Sequence, residues 1–269
     1  LITLLEALTN HDETRLEASQ RLQGPYRQLK RWEPLYKALM GQLRLEGRAD
    51  NIALTMEAMA VAKDHLRDPR LALKTALPTF RLTPSDLSLR SAIVALAEET
   101  GYWDELFDEG EAALDTIADA SIRGAHARWL GDTMVAQGRP ETAVWAYESV
   151  LEALPSDRGA MEALEQLHAD ADRYDAQLKT LERQLSSLSL ADGERARVHM
   201  RMATIQEAHL KDIEAARESA TSALEFNAGS HQALEMIARA ARSGGDWSAL
   251  DTSLSQRAEL LSNRLEAIP

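Results

Sequence analysis

Apolar residues return along this chain every third or fourth position and never alternate over a useful length, which predicts helices throughout and no strands. From Trp103 onward, Trp103, Leu106, Phe107, Leu114 and Ile117 fall on one helical stripe. A second stripe runs through Ala125, Trp129, Leu130 and Met134 until Gly138-Arg139-Pro140 stops it, Pro140 being suited to the first turn of the next helix. Ala143, Ala146, Tyr147, Val150 and Leu151 carry a third helix as far as Pro155. Ser156 or Asp157 then caps a fourth, predicted to bury Met161, Leu164 and Leu167. Four helices thus make one unit of about 72 residues.

The unit repeats. Trp32, Trp103, Tyr174 and Trp247 sit in similar contexts at spacings of 71, 71 and 73 residues. His65-Leu66-Arg67-Asp68 returns as His209-Leu210-Lys211-Asp212, 144 residues on. Pro84 and Pro155 each stand 19 residues before the next aromatic, and Ala228 holds the matching place before Trp247. Leu5-Glu6-Ala7-Leu8 reappears 146 residues later as Leu151-Glu152-Ala153-Leu154, an offset that predicts a four-residue insertion near Gly24-Pro25. The expected organisation is a single solenoid over 1–269, with double units 32–102, 103–173 and 174–246 and partial repeats 1–31 and 247–269. Residue 1 is Leu rather than Met, and with a partial repeat at each end the chain reads as a piece of a longer protein.

Half of this period, about 36 residues, is close to that of the tetratricopeptide repeat. Gly131, Ala143, Tyr147 and Pro155, at relative spacings of 12, 4 and 8, resemble that family's small, small, aromatic and proline positions. Ala127, Met134 and Val150 stand where the family often has tryptophan, tyrosine and alanine. Ala72 with Pro84 and Ala216 with Ala228 keep the spacing of 12, but Ala76 and Ala220 replace the aromatic. The resemblance implies an all-α fold, a right-handed α-solenoid of stacked antiparallel helix pairs. It also implies a non-enzymatic scaffold or adaptor that binds a protein or peptide partner through its solenoid surface. A ligand would then run along the first helix of each pair, here around 53–63, 125–135 and 198–206. Arg128 and Trp129 are the groove candidates this suggests, with Arg201 at the comparable place further on. The alternative is a structural or regulatory arm of a larger multidomain protein whose activity lies elsewhere.

Composition removes other classes. Among 269 residues there is no cysteine, so disulfides, thiol catalysis and cysteine-bound zinc are excluded, while the compartment stays open. No phosphate-binding glycine loop, dinucleotide fingerprint, metal-binding His-Glu-x-x-His helix or nucleophile elbow occurs. None of the 7 histidines lies three or four residues from another, and His65 and His209 read as polar closures of helix ends. No catalytic residue, metal ligand or cofactor is expected. The longest uncharged apolar run, Ser91 to Ala97, is too short to cross a membrane. A net charge of −13 disfavours nucleic acid and anionic lipid.

Charge placement adds one candidate surface. No Lys or Arg lies between Arg90 and Arg123, and Asp104, Asp108, Glu111 and Asp115 share one face of the helix expected from Trp103. That face is either plainly solvated or a docking stripe for a basic partner segment. Lys30, Lys37 and Arg44, every seventh residue near Tyr26 and Trp32, form a basic counterpart, either solvated or set against an acidic surface on a partner or a second copy. Self-association is therefore among the expected modes.

Overall fold

The computed structural model describes residues 2–9, 11, 14–46 and 51–266. Among these, fifteen α-helices follow one another and no strand occurs. Contacts gather into two compact units, Leu1–Thr133 and Met134–Pro269. The first holds α1 (Ile2–Leu8), α2 (Arg15–Gln28), α3 (Trp32–Glu46), α4 (Ile52–Ala60), α5 (Pro69–Leu82), α6 (Leu87–Thr100) and α7 (Trp103–Leu114). α8 (Ala120–Ala136) carries the chain onward. The second holds α9 (Pro140–Ala153), α10 (Arg158–Asp170), α11 (Tyr174–Ser187), α12 (Asp192–Ile205), α13 (Ile213–Phe226), α14 (His231–Gly244) and α15 (Trp247–Glu266). Within each unit a helix packs on its neighbour in sequence: α2 on α3, α4 on α5, α5 on α6, and later α10 on α11, α12 on α13, α14 on α15. Short connections leave such neighbours antiparallel.

Helix starts follow from local chemistry. Asp68, Asp86, Asp157, Asp212 and Ser230 each accept a hydrogen bond from the backbone N–H three residues on, satisfying one orphan donor. Asp157, rather than Ser156, is therefore the cap of α10. Pro140 occupies the first turn of α9, where its missing N–H has no intrahelical partner to lose.

Helix ends repeat more strictly than anything visible in residue types. Lys30, Gly101, Asp172 and Gly245 all have positive φ, and each lies two residues before one of the phased aromatics. Arg67, Gly138 and Lys211 form the second positive-φ series, spaced 71 and 73 residues apart. These left-handed residues reverse the chain and let the next N–H reach back to the helix, as from Arg31 to the Tyr26 carbonyl (2.9 Å) and from Arg173 to that of His168 (2.8 Å). After α4 and α12 the reach is one residue longer, Asp68 to Ala62 and Asp212 to Gln206, because a π-helical turn intervenes at Val61–His65 and at Gln206–Leu210. Both π turns carry the recurring histidine. His65 stacks on Trp32 at 3.6 Å between centroids and His209 on Tyr174 at 3.9 Å, so the recurrence reflects aromatic packing as well as closure of a helix end.

Core composition differs along the chain. Leu22, Leu35, Leu39 and Leu43 fill the first unit beside Tyr26, whose burial and hydrogen bond to Glu6 push its hydroxyl pKa up to about 12. Ala203, Ala216, Ala220, Ala223 and Ala233 gather around Met236 in the second, bringing α12, α13 and α14 close. Trp103 is buried, whereas Trp247, in the same phase, is 69% exposed.

Several sequence expectations are corrected. Leu167 is only half-buried, because the inward stripe of α10 runs through Met161, Leu164, Glu165 and His168. Ile117 lies beyond the end of α7, and Ala125 is exposed. α2 runs unbroken through Gly24 and Pro25, so neither residue interrupts the helix. Lys30 sits in a left-handed turn rather than on the face of α3, and Lys37 is paired with Glu33, which breaks the expected basic stripe.

Candidate functional site

The second unit contains a cleft of about 1050 Å³ lined chiefly by α10, α12 and α14, that is, by every second helix. Val198, Ile205 and Met236 supply buried apolar surface, and Met200 is half-buried beside them. Gln177, Asn227, Ser230 and Gln232 add neutral donors and acceptors. Four arginines, Arg158, Arg197, Arg201 and Arg239, complete the charged lining with Glu162, Glu194 and Glu235.

Most of these charges are fixed by partners about one helix pair away. Arg158 Nη1 lies 3.0 Å from Glu194, 36 residues on. Arg201 Nη1 donates to both oxygens of Glu165 at 2.7 Å, again across 36 residues, and its Nη2 reaches Gln184 Oε1 at 3.2 Å. Gln184 Nε2 closes that triangle by donating to Glu165 at 2.9 Å. Arg239 grips Glu207 with two hydrogen bonds of 3.0 and 2.7 Å across 32 residues. Glu235 is flanked by Arg239 and Arg257. The carboxylate of Glu165 is 10% exposed, so its bonds to Arg201 and Gln184 replace lost hydration. Side chains that hold one first-of-pair helix to the next thus also pave the cleft.

A related lattice in the first unit has a different filling. Arg90 on α6 donates from Nη2 to Nδ1 of His126 on α8 at 2.9 Å, 36 residues away, and His126 Nε2 donates to the Gly110 carbonyl at 2.9 Å. Those roles require the neutral imidazole with its proton on Nε2. Burial, with the Arg90 charge adding to it, pushes the His126 pKa down to about 4. Gly110 lets α7 and α8 approach, since a Cβ there would stand 2.5 Å from the buried Leu130 side chain and force it to shift. The Arg90 guanidinium lies 4.5 Å above Trp129, and Phe80 meets the same ring edge-on at 5.5 Å.

Of the groove candidates named from sequence, Trp129 is therefore half-buried under Arg90, Arg128 is likewise half-buried on α8, and Arg201 lines the cleft. Asp104, Asp108, Glu111 and Asp115 are all exposed along α7 and its end, and none of them belongs to the cleft lining. Sequence reasoning missed Arg158, Arg197 and Arg239. A 36-residue recurrence of Arg against Glu was the signal that could have found Arg158, whereas Arg239 meets Glu207 at 32 residues. Among the described residues no group of His, Asp and Glu is placed to hold a metal ion, and no helix is long and apolar enough to cross a membrane.

The chain is an all-α helical repeat. Its turns of positive φ alternate at spacings of 34 to 39 residues, and its helices pack as consecutive pairs. No protein-family model matches the sequence, and no curated protein matches it. Solved structures to which it is similar include MamA, at 14% identity over 65% of this chain and 97% of that one, with a TM-score of 0.41. MamA 41-end from Desulfovibrio magneticus RS-1 follows at 13% identity over 68% and 97%, TM-score 0.36. YrrB, described as a tetratricopeptide repeat protein with an unusual peptide-binding site, is similar at 17% identity over 74% and 97%, TM-score 0.36.

Proposed function

We propose that the chain is a protein-interaction scaffold and that the cleft across α10, α12 and α14 receives a peptide segment of a partner protein. The observation that carries this reading is the lining itself: a cleft of about 1050 Å³ with an apolar floor, neutral amides and hydroxyls at its walls, and ion pairs that hold the flanking helices in register. Concave sites of this kind bury apolar side chains and satisfy a peptide backbone with a few placed polar groups. The fixed walls lower the ordering cost of binding. The similarity to YrrB, a protein described by its peptide-binding site, agrees with this reading.

A fluorescein-labelled positional-scanning library of acetylated, amidated decapeptides tests it by anisotropy against the whole chain. Binding is expected, and Thr204→Trp, which places bulk at an exposed position of the lining, should abolish it while leaving the circular dichroism melt unchanged. Absence of binding by every pool, or binding untouched by Thr204→Trp, overturns the reading.

A further inference from the structure

Two charges in the cleft lining enter no ion pair among the described residues, Arg197 having as electrostatic neighbour only Glu194, whose carboxylate Arg158 already holds. Arg197 on α12 is exposed and makes no ion pair within 4.0 Å, and the same holds for Glu162 on α10. The other lining charges are occupied: Arg158 by Glu194, Arg201 by Glu165, Arg239 by Glu207, and Glu235 by Arg239 and Arg257.

α12 starts 72 residues after α8, so Arg197 holds the place of Ala125, and both positions are exposed. In the same register the buried Val198 stands for His126 and Arg201 for Trp129, which leaves Arg197 on the open side of α12.

Resting on the reading of the cleft as a peptide site, we propose that it selects an extended segment carrying an acidic side chain, bound by Arg197, and a basic side chain, bound by Glu162, with apolar residues between or beside them. The complement is dipolar because one open cation stands on α12 and one open anion on α10, and apolar surface from Val198, Met200 and Met236 shares the same lining. A purely acidic or purely basic segment leaves one of the two charges unmatched. Charge-assisted hydrogen bonds in a partly desolvated cleft are the stronger kind, and each is worth about tenfold in affinity.

The decapeptide library decides this with two exposed-site variants. For the native chain, pools fixed with Asp or Glu at one position and with Lys or Arg at another should be enriched about tenfold over Gln pools, and salt should erode the preference. Arg197→Gln should erase the acidic preference alone, and Glu162→Gln the basic preference alone. Re-synthesis of the best amidated peptide with a free C-terminus should change little, since a side-chain carboxylate is the ligand; binding only by free C-termini overturns the proposal. Binding without charge preference, or preferences that survive both variants, overturns it while leaving the peptide cleft standing. Failure of every pool to bind removes the cleft reading first and the proposal with it.

Discussion

The same place in the repeat is filled in the first unit and open in the second. Between α6 and α8, Trp129 lies under Arg90 and against Phe80, with His126 bonded on both ring nitrogens. At the matching places of α10 and α12, the positions of Arg90, His126 and Trp129 are held by Met161, Val198 and Arg201, and the last two line the cleft. The backbone plan is shared, since α6 and α10 start 71 residues apart and both are capped by an aspartate. Aromatic bulk and a guanidinium that stacks on it therefore close the face in one unit, and a valine beside an arginine drawn to Glu165 leaves it available in the other. Whether a repeat presents a groove is decided by a few side chains, not by the helices.

Acid should expose the difference most. In the unfolded chain an imidazole takes up its proton near pH 6.5, whereas folded His126 stays neutral down to about 4. As pH falls through that window the unfolded state gains a proton the folded state lacks, so the stability present above about pH 6.5 is lost by about 3 kcal/mol on reaching pH 4. Burial depresses His168 and His199 as well, in the same direction. Urea midpoints at about pH 7, 5.5 and 4.5 should decline less steeply for His126→Gln than for the native chain. Equal slopes would break the assignment of the effect to the filled site.

Exchanging the aromatic comes next. Trp129→Met, which removes the ring but keeps an apolar side chain, should lose the contacts to Arg90 and Phe80 and cost about 2 kcal/mol. A thermal melt measures it, and an unchanged midpoint would mean that Trp129 contributes no packing. On the other side of the comparison, Arg201→Ala removes the partner of a largely buried carboxylate and should cost about 1.5 to 2 kcal/mol. Arg201→Lys should recover only part of this, since an ammonium cannot reproduce the forked contact to Glu165 and Gln184.

The smallest effect concerns the turns. Gly138 and Lys211 occupy the same left-handed position one repeat apart. Lys211→Gly removes the Cβ strain of that conformation at the expense of a more flexible unfolded chain, for a net gain of about 0.5 to 1 kcal/mol in urea unfolding. A loss would indicate that the contact from Lys211 Nζ to the Ala208 carbonyl matters more than the backbone.

Much of the fold was legible because helices follow from local periodicity and capping chemistry. The aromatic phase located the starts of α3, α7, α11 and α15, and Pro140 and Asp157 marked the starts of α9 and α10. The candidate site was less legible. Arg201 was reachable by analogy along the repeat, but Trp129, named for the same groove, lies under Arg90. Nothing in the neighbourhood of an arginine in sequence tells whether its guanidinium meets a carboxylate 36 residues away.

What the sequence by itself determined is the all-α character, the double period and the places where the chain turns, since these depend on residues within a few positions of one another. Only the tertiary structure decided which repeat face is filled and which is open, and which charges are spent holding helices together. Those outcomes turn on side chains from alternate helices meeting at hydrogen-bond distance, where one methylene group or one ring changes whether a pair closes. Arg197 and Arg201 look alike in the sequence, yet Arg201 is bound to Glu165 on α10 while Arg197 lines the cleft without an ion pair within 4.0 Å.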